Sequence, residues 1–591
     1  MAHPVWPRLV VLPVFFGVVL MSVWRPWLGF LALPALAPIL NFSPWTGYLV
    51  FEEFDLLVLA VLTGGYFGSN PRDAKHLAWP AIIALCFIGW GSIQDIFANT
   101  WRVGKSLLWV TLLWPLLRCT FDTLPRPKTL ARFFWAALLG SVWVVLAVLW
   151  ERAFYPGLLD IHTPYRTVGL FWEMHHGGAA LDIYLVLIAP LLAWAWRQAL
   201  PSAGRLLLGA FILAFVYACL TTFSRGAVFS AAGAVILQGM LYSWQARRQQ
   251  ASKEHTIRPA SLLVIALVSI EAFMVFGTDS FMNSRLQQTG HDFGGRLAHW
   301  KQALGVLSSP VDWIFGIGLG KFPSPRIQRE LGVPLPGEFA LARFADGTRG
   351  ARLAGPDNLL KGSPPGRFFA LSQRIDSAPG VPFRFSMKAR NEKEGQKDSQ
   401  VLVRICASHL LYPARCSSRV VNIKGEGWQE QRGWLSGRMF HAQPWWRSMG
   451  HGVFLISVLT PDAVIEIAEM RLEAGARNRL LNPGFDEGQS HWFPQSFHYF
   501  LPWHIDNFYL ELLVETGAVG LLGFLYIVFR VFWRLFQTCS AGQTFSIELI
   551  SSGAGVLVLG LVVSILDMPR VATLTGLFLV LALLAGTVKR E

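Results

Sequence analysis

WHIDNFYLELLVETGAVGLL, running from Trp503 to Leu522, is the stretch whose reading decides the fold. His504, Asp506 and Asn507 close a long polar segment. The chain then turns apolar at once, with Glu511 and Glu515 four apart on one predicted helix face. Ionisable side chains at the start of a membrane span are costly, so their presence predicts a working site there.

Composition agrees with a membrane reading of that transition. Hydrophobic residues make up 53% of the 591, charged ones only 15%, and there are 43 Phe and 25 Trp, which excludes an ordinary soluble globule. The 51 Lys+Arg exceed the 37 Asp+Glu, but the basic residues stand in short connections between apolar runs. That placement follows the positive-inside rule and argues against a nucleic-acid partner. Of six cysteines, Cys86, Cys119, Cys219 and Cys539 lie in or beside apolar segments, where a buried thiol is expected. Cys406 and Cys416 can pair only if their region lies outside the cytoplasm.

Outward from the opening stretch, spans of the roughly 20 residues a bilayer needs are predicted near 54–69, 77–93, 105–120, 130–150, 178–197, 204–222, 226–244, 260–277, 508–534, 547–566 and 571–588. The first 40 residues, with an uncleaved signal anchor after Arg8, add one broken span or two short ones. The total is 12 or 13 transmembrane helices. Arg72 and Lys75, Arg118 to Arg132, Arg197 and Arg205, Arg247 to Arg258, Arg530 and Arg534, and Lys589 and Arg590 fall on alternate sides, which are therefore cytoplasmic. The segment 278–507 then faces outward.

The expected organisation is N-terminal transmembrane helices over 1–277, a helical outer loop over 278–354, a β-sandwich over 355–476, a return segment over 477–507 and C-terminal transmembrane helices over 508–591. GGRLAHWKQALGVL has amphipathic helical spacing and is followed by a Gly-rich turn, IFGIGLG. VPFRFSMKAR, QVLVRICA, SRVVNIKG, GVFLISVL and VIEIAEMRLEA alternate with period two between Gly, Pro, Ser and Asp clusters, the mark of a small all-β sandwich.

Three arginines fall on the outer side: Arg166 in PYRTVGLFWEMHHGGA, Arg225 in TTFSRGAV and Arg296 in GGRLAHW. A planar, permanently charged guanidinium suits bidentate binding of phosphate or diphosphate. One such arginine alone reads more readily as an interface residue reaching lipid headgroups. Three on the same side as His504 and Asp506 predict a site for an anionic, membrane-held substrate. In EMHHGG, Glu173, His175 and His176 lack the i, i+4 spacing that places two ligands on one helix face, so no metal is predicted. Contact with donor or acceptor is the expectation for Glu173 and His176.

SRG at the edge of a span, Arg296 followed by Trp300 and SSPVDWIFGIGLGKF, and DNFYLELLVETGAVGLLGF after a large outer loop together resemble the O-antigen ligase and polymerase family of the bacterial envelope. The order and spacing agree over about 160–535, apart from the sandwich. NLLKGSPPGRFFALSQRIDSAPGVPFRFSMKAR, with VIEIAEMRLEAG and LLNPGFDEGQSHWF, is similar to the carbohydrate-binding jelly rolls attached to polysaccharide enzymes. Trp428, Trp434, Trp445 and Trp446 either offer flat faces to sugar rings, fill the sandwich core or rest on the membrane interface.

The resemblance implies a glycosyltransferase without metal or other cofactor, multi-pass in the bacterial inner membrane with its large loop in the periplasm. Its donor would be a lipid-linked oligosaccharide on undecaprenyl diphosphate, its acceptor a glycan, and its neighbours other envelope polysaccharide assembly proteins. It also implies that Arg225 and Arg296 grip the diphosphate, with Arg166, Asn507, Glu173, His176 and Trp300 in substrate contact. Where the family commonly has His directly before the final-motif Asn, this chain has Asp506, with His504 two residues earlier. Either is a candidate base for the acceptor hydroxyl, and Asp506 or Asn507 as an ordinary helix cap is the competing reading. A transporter or flippase, a protein O-oligosaccharyltransferase and a non-catalytic polysaccharide scaffold are the other classes compatible with the pattern.

Overall fold

The computed structural model describes residues 5–40, 52–68, 99–123, 126–171, 179–248, 259–332, 335–344, 347–357, 368–376, 380–392, 398–409, 412–440, 450–497, 505–541, 545–566 and 568–585. The chain divides into two units, a helical one (Val10–Asn41, Val50–Phe322, His504–Glu591) and one centred on Pro323–Trp503.

Long apolar runs give the helices of the first unit: α1 (Val5–Trp24), α2 (Pro26–Leu36), α3 (Glu53–Gly68), α4 (Asn99–Thr123), α5 (Arg126–Phe154), α6 (Ala179–Arg197), α7 (Ser202–Thr221), α8 (Arg225–Arg248) and α9 (Pro259–Phe276). The shorter α10 (Phe281–Gln287), α11 (Thr289–Leu304) and α12 (Pro310–Phe315) follow, then α13 (Pro325–Glu330) in the second unit. The chain returns through α14 (Phe508–Ser540), α15 (Phe545–Leu559) and α16 (Pro569–Ala585). Six of these helices, α5 to α9 and α14, are long and apolar enough to cross a membrane, and four shorter apolar helices accompany them. The chain is a polytopic helical protein, and the predicted span at 77–93 lies outside the described residues.

Helix α6 is buried along most of its length and packs with α8 and α15. Several buried charges inside this unit are held by polar partners, as low-dielectric burial favours. Lys105 donates to Asp55 at 2.8 Å, and Trp109 Nε1 donates to the other oxygen of that carboxylate at 2.7 Å. The buried Arg570 donates to the carbonyls of Ala37, Pro38, Leu40 and Leu170. Glu151, at the end of α5, accepts from the amides of Val168 and Gly169 and from the Tyr165 hydroxyl, which fixes the following loop.

The second unit holds two antiparallel sheets over one shared core. One has the order β1 (Glu338–Arg343), β2 (Arg349–Ala354), β9 (Val464–Ala474), β4 (Phe383–Asn391), β7 (Gln429–Leu435), with β10 (Arg477–Asn478) pairing to β9. The other runs β11 (Phe493–Phe497), β3 (Phe368–Ile375), β8 (Gly450–Val458), β5 (Ser399–His409), β6 (Tyr412–Ile423). Alternation decides the faces: in β4, Phe383, Phe385, Met387 and Ala389 point inward between Arg384, Ser386 and Lys388. Strands β1 and β2 precede the window 355–476 and β11 follows it. Cys406 and Cys416 lie opposite each other on β5 and β6 and are joined as a disulfide.

The tryptophans divide. Trp434 is 60% exposed on β7, whereas Trp428 is covered by the Arg390 guanidinium 4.6 Å from its ring and by an edge contact with Phe344. Trp445 and Trp446 lie outside the described residues.

Candidate active site

The SRG corner is built by local capping. Between α7 and α8 the Thr222 hydroxyl accepts from the Ser224 amide, and the Ser224 hydroxyl accepts from the Ala227 amide, which starts α8. Gly226 is small for a steric reason: a β-carbon there would stand 3.0 Å from Leu559 and 3.2 Å from Val562, in the turn after α15. The Arg225 side chain donates to the Arg285 carbonyl at 2.5 Å, to the Thr289 hydroxyl at 2.8 Å and to Asp292 at 2.6 Å.

The same turn receives two more predicted elements. Arg296 of α11 donates to the Val562 carbonyl at 2.6 Å, and the Phe508 amide at the start of α14 donates to Gly560 at 2.8 Å. One helical turn beyond Arg296, Trp300 Nε1 donates to the Ile505 carbonyl at 3.0 Å. Arg225, Arg296, Trp300 and the segment Ile505–Phe508 are thus gathered around residues 559–562. Asn507 is the cap of α14, its amide oxygen accepting from the amides of Tyr509 and Leu510, so any substrate contact would fall to its amide nitrogen. Asp506 is half-buried in left-handed backbone (φ 55°) between two fixed neighbours.

Arg166 reaches the corner from the loop after α5. It donates through Nε to the Thr222 carbonyl at 2.9 Å and pairs with Asp182 at 3.3 Å. Arg285 of α10 joins this group. Burial pushes its guanidinium down to about 10, and the positive charges of Arg166, Arg225 and Arg296 act in the same direction while Asp292 opposes them. Among the described residues, the guanidinium groups of Arg166, Arg225, Arg285 and Arg296 therefore share one neighbourhood with the carboxylates of Asp182 and Asp292. Sequence reasoning did not single out Arg285. Its signal is its place in a short helix, NSRLQQ, directly ahead of the Thr289 and Asp292 that hold Arg225.

The Gly-rich turn after α12 locks this assembly. Helix α14 breaks at Gly517 (φ 69°, ψ −174°), and the freed carbonyls of Val514 and Glu515 accept from the amides of Ile317 and Gly318. The buried Glu515 carboxylate accepts from the amides of Gly320 at 2.8 Å and Phe322 at 3.3 Å. Its role in the described structure is to clamp the outer turn onto the break.

Glu173, His176 and His504 lie outside the described residues. The other named candidates fall at one corner of the helical unit, around the segment the family resemblance emphasises. Residues 208–341 match the family model described as O-antigen ligase. That segment is similar to the O-antigen ligase family over less than half of the chain. The match spans Arg225, Arg285, Arg296 and Trp300. No curated protein and no solved structure matches the chain.

Proposed function

We propose that this chain is a member of the O-antigen ligase family and a metal-independent glycosyltransferase. In this reading it moves a glycan from undecaprenyl diphosphate to a sugar acceptor on the periplasmic face of the inner membrane, as a ligase or an exopolysaccharide polymerase. The observation that carries the reading is the excess, among the described residues, of guanidinium charge over carboxylate at the corner formed by Arg166, Arg225, Arg285 and Arg296. A diphosphate completes such a cluster, and fixed positive charge stabilises it further as it leaves.

In the step itself, the bond between the anomeric carbon and the phosphate oxygen breaks, and undecaprenyl diphosphate departs with the electron pair. The acceptor oxygen forms the new bond and gives its proton to Asp506 or His504. The Cys406–Cys416 disulfide supports an oxidising compartment for the sandwich. The exposed Trp434 supports a sugar-contacting role for it.

Arg225→Ala, Arg285→Ala and Arg296→Ala should each lower glycan transfer by about two to three orders of magnitude. Membrane insertion should be unchanged and the lipid-linked intermediate should accumulate. Normal transfer by both Arg225→Ala and Arg296→Ala would remove the diphosphate-binding role.

A further inference from the structure

Helix α12 presents Val311, Trp313, Ile314 and Phe315 outward, at 61%, 45%, 46% and 54% exposure. It is nevertheless firmly held. The Ser309 hydroxyl accepts from the Asp312 amide at 3.2 Å and the Asp312 carboxylate accepts from the Ser309 amide at 2.9 Å, a reciprocal capping box. At its other end the Gly316 amide donates to the Asp312 backbone carbonyl at 2.8 Å, and the Ile314 carbonyl lies against Gly517 of α14. Four large apolar side chains within five residues, displayed by a fixed helix, call for a partner of their own.

The position of α12 identifies that partner. From the break at Gly517 to Ser540, α14 is about 35 Å long at 1.5 Å per residue, enough for a hydrocarbon core of about 30 Å. Its outward side chains start with Val519 and Leu522, at 49% and 64% exposure. Helix α12 therefore stands beside the N-terminal end of a helix long and apolar enough to span a membrane, where both display apolar side chains. On α11, Phe293 and Leu297, one turn apart, extend the same kind of surface. Trp313 is the residue type that membrane interfaces favour.

We propose that α12, with Phe293 and Leu297, is seated in the membrane interface at the N-terminal end of the α14 span, and that bilayer lipid is its occupant. This anchors α11, and with it Arg296 and Trp300, at the bilayer surface. That α11 then meets a lipid-borne diphosphate rests on the function proposed above, whereas the lipid contact itself does not.

The test uses the full chain in phospholipid nanodiscs, with Val311→Cys or Phe315→Cys labelled by an environment-sensitive fluorophore. The background lacks free cysteines and keeps Cys406 and Cys416. Leu522→Cys serves as the lipid-facing reference. Lipid carrying a nitroxide near the headgroup should quench both α12 positions to the extent it quenches Leu522→Cys, while aqueous iodide leaves them bright. Insensitivity to nitroxide lipid at both positions, with the reference responding, would overturn the proposal. Shielding from both quenchers would overturn it equally, because it would mean that protein, a second copy of this chain included, covers the face. Since both side chains are exposed, neither substitution removes packing, and glycan transfer need not be measured to read the result.

Discussion

Asp506 stands between two residues that leave it little freedom. Ile505 is fully buried and its carbonyl receives Trp300, while Asn507 caps α14. The left-handed backbone that results is one that Asn adopts as readily as Asp. Asp506→Asn therefore removes the carboxylate and keeps the conformation, which separates chemistry from structure. Transfer should fall by about two orders of magnitude or more if this carboxylate is the acceptor base, with thermal stability unchanged. Transfer at the normal rate would leave that role to His504. Residue types and motif spacing made Arg225, Arg296 and Asp506 legible in the sequence. They did not expose Arg285, because its place just ahead of Thr289 and Asp292 gains meaning only once those residues are seen to hold Arg225. Its importance arises from the Arg225 contact with its carbonyl and from charges brought in by the loop after α5, by α8 and by α11.

At the scale of elements, the helices were legible because a long apolar run is a local property. The predicted spans 54–69, 178–197, 204–222 and 260–277 fall within a few residues of α3, α6, α7 and α9. The break in α14 was not, since one Gly in an apolar helical pattern is commonly tolerated. What makes Gly517 a break is the turn 316–322, whose amides take the carbonyls and carboxylate of Val514 and Glu515. A side chain at 517 would meet the Ile314 carbonyl, and φ 69° with ψ −174° is backbone that Gly alone adopts readily. Gly517→Ala should therefore cost about 1–3 kcal/mol and release the turn. The readouts are a lower unfolding temperature in detergent and faster proteolysis within 308–322. Unchanged proteolysis would mean that the clamp does not hold the turn.

For the whole molecule, the informative boundary lies between a helical unit whose pattern was legible and a sandwich whose edges were not. Strands such as VLVRICA alternate strongly, whereas β1 (EFALAR) and β2 (RGARLA) are short and rich in Ala and Arg. Long-range pairing of Ala351 to Ala354 with β9 makes β2 a strand, and β1 then pairs with β2. The disulfide joins two facing strands within this sandwich, so it ties the fold to its compartment. A cross-link between residues 10 apart, Cys406 and Cys416, restricts the unfolded chain and should contribute about 2–3 kcal/mol. Cys406→Ser should lower the unfolding temperature of the sandwich in the full chain under oxidising conditions and have little effect in reductant. The same comparison reports topology. In the unreduced wild-type protein, denatured and treated with maleimide, protection of both cysteines places the sandwich on the oxidising side of the membrane. Labelling of both would place it on the reducing side and overturn the outward assignment of residues 278–507.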